Sequence, residues 1–255
     1  MRSQMSQRNQ LHVGLKVGIC TALLSALATV AIAPKVQGAG ATAHTAQPGH
    51  DAIRLDGGRA LVRFKGMTVL VDPDAGAADL PPVDLVLLRG CGPAQQAWLA
   101  RQRLDRAVAV VATPGGQCAT QVRGQGVRRI QVLGMWGAYT LKLGAGAVRL
   151  TVMPAVTGDG AEAGQPDLAA VPGVMMDLSD GKGASYRIYA GGEADGPALA
   201  SLPQRFPGAD LAIVRRGGAP VLAAVEEGGD GHHVMREVAL RPGDQEYGIV
   251  AVRRR

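Results

Sequence analysis

The sequence predicts an α/β chain, strand-rich at both ends, with a strand–helix–strand–helix passage between. Three observations carry this. Short apolar runs recur between Gly, Pro and Asp clusters, which is how half-buried and buried strands are punctuated. Two of these runs each lead through a glycine-containing turn into a helical pattern, the signature of parallel crossovers. With 47% apolar residues, 19% charged residues, 36 glycines and only eight aromatics, the 255-residue chain must build its core from small aliphatic side chains.

The elements follow in order. The stretch "IRLDGGRALVRFKGMTVLVDP" predicts strands over 59–64 and 67–72, joined at Lys65-Gly66 as a hairpin. After the loop 73–82 comes a strand at 83–88, a turn, and a helix over 94–104. A strand at 107–112 ("AVAVVA") leads through Thr113-Pro114-Gly115-Gly116 to a second helix, 117–124. The segments "RIQVLG", "AYTLKLG", "VRLTVMPA", "GVMMDLSD", "SYRIYAGG", "DLAIVRR", "PVLAAVEE" and "EVALRP" then read mostly as strands. No period repeats, so a solenoid is excluded.

The formal charge of +6 is concentrated at one end. Arg2, Arg8, Lys16 and Lys35 stand in residues 1–38 without an acid, and the remaining 23 bases face 21 acids. No basic cluster with interleaved aromatics exists, so nucleic acid is not an expected partner. The basic start, the apolar run Val17–Ala33 and the small residues Val36 and Gly38 predict a secretory signal over 1–38. Ala39/Ala41 offer a second cleavage register. An uncleaved anchor is the alternative, although the run falls short of the ~20 residues of a spanning helix. Residues 39–51 are expected as a flexible lead-in and 52–255 as one domain. The expected location is periplasmic or secreted, with no stable membrane span after cleavage.

In this order the segments resemble the metallo-β-lactamase fold, a four-layer αβ/βα sandwich. The resemblance is to the branch of ascorbate-6-phosphate lactonase-like and phospholipase-D-type metallohydrolases, and it covers roughly residues 53–216. It is carried by "GRA" (58–60), "TVLVDP" (68–73), "PPVDLVLLRG" (81–90), "VLGMWGAYTLKLGAGAVRLTVMPA" (132–155), "YRIYAGGEAD" (186–195) and "GADLAIVRRGG" (208–218). The resemblance implies a hydrolase with zinc on a His-x-His-x-Asp-His loop, a later His, and a bridging Asp. In this sequence those positions fall on Gly90, Gly92, Ala94 and Gln95, on Thr157, and on Gly192. Glycine and alanine offer zinc no side-chain donor, and Gln and Thr are poor substitutes for imidazole. The expectation is a degenerate member with a lost metal site and no metal cofactor.

Other residues offer competing chemistry. Cys91 is a candidate nucleophile or soft ligand, but no His is near it in sequence, and an inert or disulfide-bonded Cys is the competing reading. Glu193 and Asp195, with Asp177 and Asp180, are candidate replacement ligands, although carboxylates at strand ends are usually solvated. His232 and His233 with Glu227 or Asp230 offer a further metal site, against a solvated turn. Asp72 and Asp74 read as a carboxylate pair or as a strand end and turn cap. Arg89, Arg215 and Arg216 suit an anion-binding rim, or are plain surface charges. Cys91 and Cys118 follow two strands expected to be parallel neighbours, which predicts a disulfide between them.

Together these features favour an exported pseudo-hydrolase that binds a small molecule or protein in the old substrate cleft. The competing class is an active hydrolase with unconventional ligands or a Cys91 thiol.

Overall fold

The computed structural model describes residues 51–56, 58–74, 82–102, 108–111, 117–124, 127–156, 171–228, 231–240, 246–249 and 252–253. All belong to one compact unit, Gly38–Arg255. The signal and the lead-in therefore lie outside the described residues, apart from Asp51.

Strand β1 (Ala52–Asp56), which the sequence pattern did not single out, precedes the hairpin of β2 (Arg59–Phe64) and β3 (Met67–Val71). Lys65 (φ +50°) and Gly66 (φ +79°) both adopt left-handed backbone, as a two-residue hairpin loop requires. Then come β4 (Leu85–Leu88), α1 (Pro93–Leu99), β5 (Val108–Val111), α2 (Gln117–Gly124) and β6 (Arg129–Val132). Helix α1 opens with Pro93 at its first position, where the missing N–H costs nothing. It ends five residues earlier than expected: after Leu99 only the exposed Ala100 and the polar run Arg101-Gln102-Arg103 precede Leu104, so no large apolar residue extends the buried stripe.

The second half supplies β7 (Ala138–Leu143), β8 (Gly146–Met153), β9 (Gly173–Ser179), β10 (Ala184–Glu193), α3 (Gly196–Ala200), α4 (Leu202–Arg205), β11 (Leu211–Arg216), β12 (Ala219–Glu227) and β13 (His233–Glu237). The strand expected in "EVALRP" is displaced: β13 ends at Glu237, and 238–240 has no regular structure. Short strands β14 (Glu246–Gly248) and β15 (Val252–Arg253) close the chain.

Two sheets result, with strand orders β14-β1-β2-β3-β4-β5-β6 and β13-β12-β11-β10-β9-β8-β7, β15 adding to β10. In the first, β3–β4, β4–β5 and β5–β6 are parallel, the pairing expected of strands joined through helices. In the second, among the described residues, only β10–β11 is parallel.

Side chains alternate across a strand, so each sheet feeds two different cores. Val62, Phe64, Val69, Leu85 and Leu87 pack inward against Leu150, Met176, Ile188, Leu211 and Ile213 of the other sheet. Their neighbours Leu61, Leu70, Val86 and Leu88 face outward onto Trp98 and Leu99 of α1 and Val122 of α2. On the opposite side Met175, Tyr189, Ala212 and Val214 pack on Leu199 of α3 and Leu202 of α4. Helix, sheet, sheet, helix is therefore the layer order, and the mixed α/β class with two large sheets agrees with the sequence expectation.

Candidate functional site

Where β3, β4, β8, β10 and β11 end, their loops enclose a cavity of about 700 Å³. Asp72 enters from the end of β3; Arg89, Gly90, Cys91, Gly92 and Gln95 come from the turn after β4. Ala155 and Val156 follow β8, and Val171 precedes β9. Gly192, Glu193, Ala194 and Asp195 end β10, and Arg215 and Arg216 end β11. Four of the six vestigial ligand positions, Gly90, Gly92, Gln95 and Gly192, thus share one cavity although 97 residues separate Gln95 from Gly192. Ala94 is exposed and is not part of the lining. Thr157 lies outside the described residues.

The floor is an ion pair. Asp72 accepts hydrogen bonds from the Arg89 backbone N–H (2.9 Å) and from its Nε (2.6 Å), while Arg89 Nη2 pairs with the same carboxylate. Both residues are buried, Arg89 at 3% exposure and Asp72 at 6%. Asp72 turns into the left-handed region (φ +41°) directly after β3, which Asp tolerates better than most residues. Arg89 Nη1 also reaches the Pro172 carbonyl at 3.5 Å. Asp72 does stand at the end of its strand, as expected, but Arg89 is buried against it and is not the plain surface charge that the sequence also allowed. The parallel β3–β4 pairing sets the two strand ends side by side, and the two charges neutralise each other out of water.

Arg215 is held differently. Its Nη1 donates to the Gly218 carbonyl (2.6 Å), and its Nη2 to the carbonyls of Gly58 (3.1 Å) and Asp72 (3.4 Å). Glu193 accepts from the backbone N–H groups of Gly217 (3.1 Å) and Gly218 (2.8 Å). Asp195 caps α3 by accepting from the Ala198 N–H at 2.8 Å. Arg216 is exposed and pairs with Glu237.

Behind the wall formed by Val156 stands Tyr189, which sequence reasoning missed. It is fully buried, stacks on Phe206 at 4.9 Å between centroids, and its hydroxyl accepts from the Val156 N–H at 3.2 Å. Burial pushes its pKa above the ordinary 10.0, against smaller lowering effects from that hydrogen bond and the charge of Arg89. A Cβ at Gly173 or Gly191 would sit 2.4 Å from the Tyr189 ring or hydroxyl, so glycine at both positions makes room for this side chain.

The remaining candidates are elsewhere. Asp177 pairs with Arg187 at 2.5 Å, and Asp180 accepts from the Lys182 N–H at 2.8 Å in a turn; neither lines the cavity. His232 and His233 are exposed at the β12–β13 connection, on the edge of the second sheet, and are likewise absent from the lining. Asp230 and the side chain of Cys118 are outside the described residues. Asp74 lies against Gly58 rather than beside the Asp72 carboxylate in the cavity.

Zinc needs three or four imidazole, thiolate or carboxylate donors converging on one point. Among the described residues no group of three or more His, Cys, Asp or Glu is so placed. Asp72 is paired with Arg89, Glu193 accepts from two glycine N–H groups and Asp195 caps a helix, and no imidazole joins them in the lining among the described residues. Sterics do not exclude longer side chains here, since a Cβ at Gly192 meets nothing within 4 Å and one at Gly90 meets Val171 at 3.5 Å. The described residues do not assemble a donor set that fits a zinc centre.

No protein-family model and no curated protein matches the sequence. Several solved structures are similar in fold. The metallo-β-lactamase fold protein YhfI from Bacillus subtilis is 12% identical with a TM-score of 0.38, the match covering 64% of this chain and 70% of that one. An isothiocyanate hydrolase from Delia radicum gut bacteria is 16% identical with a TM-score of 0.39, covering 62% and 69%. CmlA, a diiron β-hydroxylase from Streptomyces venezuelae, is 16% identical with a TM-score of 0.39 over 56% of this chain, which spans 29% of that protein's length.

Proposed function

We propose that this chain is an exported pseudo-hydrolase: a non-catalytic binding module that receives a small molecule in the cavity at the strand ends. The observation that supports it most is the glycine lining. Gly90, Gly92 and Gly192 stand at the positions where the family resemblance calls for His, His and Asp, and all three border the cavity. The cavity has a polar rim, and the donors that would activate a water are not assembled in it among the described residues.

Export rests on the pattern of residues 1–38 and gains support from cysteine chemistry. Cys91 is disulfide-bonded, which removes it as a thiolate nucleophile. The partner we assign is Cys118. It belongs to α2, and Gln121 of the same helix has its Oε1 3.4 Å from Cys91 Sγ.

The competing reading, a hydrolase with unconventional ligands, draws on Glu193 and Asp195 sharing the cavity. The two are separated by assaying the purified chain for turnover of lactone, amide and phosphodiester substrates, with and without added zinc. No zinc-dependent turnover is expected. Zinc-dependent turnover abolished by Glu193→Gln would establish the hydrolase instead.

A further inference from the structure

Opposite charges on directly paired strand positions usually meet across the sheet. Glu193 and Arg215 are register partners of the parallel β10–β11 pair, both border the cavity, and no ion pair joins them. Their separation is built into the backbone. The Gly217 and Gly218 N–H groups hold the Glu193 carboxylate, while three carbonyls, of Gly58, Asp72 and Gly218, hold the Arg215 guanidinium. These contacts use three of the five guanidinium N–H groups, leaving Nε–H and one Nη1–H without a described acceptor. Each Glu193 oxygen keeps a free lone pair, and Asp195 adds a second carboxylate beside it. Val156 and Val171 supply apolar wall.

Resting on the reading of this cavity as a ligand site, we infer that it takes a zwitterionic ligand: an α-amino acid with an apolar side chain. Its carboxylate binds Arg215, its ammonium binds Glu193 and Asp195, and its side chain lies on the valines. The charges are fixed before the ligand arrives, so binding does not have to break an internal ion pair. A simple anion satisfies Arg215 but adds a like charge beside two carboxylates. A simple cation leaves the guanidinium unmatched.

The test is calorimetric titration of the purified mature protein with L-leucine, N-acetyl-L-leucine and L-leucinamide. L-leucine is expected to bind about tenfold or more tightly than either charge-deleted analogue, as expected when a desolvated charge loses its partner. Arg215→Gln is expected to abolish the preference over L-leucinamide, and Arg215→Lys to restore part of it. N-acetyl-L-leucine binding as well as L-leucine would overturn the inference in favour of an anion site; so would no binding by any of the three. The comparison among ligands uses the unaltered protein, so misfolding of a variant leaves it intact. Zinc-dependent turnover, measured separately, reports failure of the underlying pseudo-hydrolase reading.

Discussion

Arg89 and Asp72 close the inner end of the cavity as a buried ion pair, each at the carboxyl end of its own strand and 17 residues apart in sequence. Removing one member leaves a nearly buried charge without its partner. Asp72→Asn or Arg89→Met is expected to cost about 3–5 kcal/mol, the range for broken buried pairs. The double replacement Asp72→Asn/Arg89→Met should recover part of that loss. Urea denaturation of the three variants measures it, and single variants with wild-type midpoints would show that the pair is solvated.

The proposed Cys91–Cys118 disulfide would close a loop that contains α1 and β5. On the chain-entropy model its reduction should lower stability by roughly 3–4 kcal/mol, less any strain. Non-reducing peptide mapping after thiol blocking should recover one peptide carrying both residues. Alkylation of both cysteines in native protein would refute the assignment.

Tyr189 gives the fold an alkaline weakness. Its pKa is raised in the folded state by burial, so above about pH 10 the unfolded chain releases a proton that the folded chain keeps. Stability is therefore fully present below pH 10 and falls as pH rises toward the folded value. Tyr189→Phe should flatten the decline above about pH 10, leaving the part due to Tyr247, which burial also raises. Thermal melts across that window read the slope, and an unchanged slope in the variant would place the titration elsewhere.

Much of this arrangement was legible before any coordinates, and the reasons differ by element. The β2–β3 hairpin was written in Lys65-Gly66 and its flanking apolar runs, and the parallel β4–β5–β6 order in the intervening helices. The glycine lining followed from aligning "VDLVLLRG" and "YRIYAGG" on a family pattern. Strand β1 was missed because only Ile53 and Leu55 are large apolar residues in it, each followed by a charged one, and the pattern runs straight into Gly57-Gly58. Arg89–Asp72 was missed because the bond arises from β3 lying beside β4, a relation the linear sequence does not carry. Asp177 and Asp180 were assigned to the wrong end: β9 runs antiparallel to β10 and carries them away from the cavity that its first residues approach. The engagement of Glu193 by the Gly217–Gly218 turn likewise needed the register of β10 against β11.

The leader is tested by mass. The pattern of residues 1–38 predicts cleavage near Gly38 or Ala41, so periplasmic protein should begin between about residues 39 and 42. A full-length species recovered only with detergent would replace cleavage with anchoring.

The central claim, that the cavity has kept its shape and lost its metal donors, is tested most directly by elemental analysis of the mature protein after expression in zinc-supplemented medium. The account predicts far less than one zinc per chain following mild chelation. One zinc per chain that survives chelation, and that is lost on Glu193→Gln or Asp195→Asn, would contradict it.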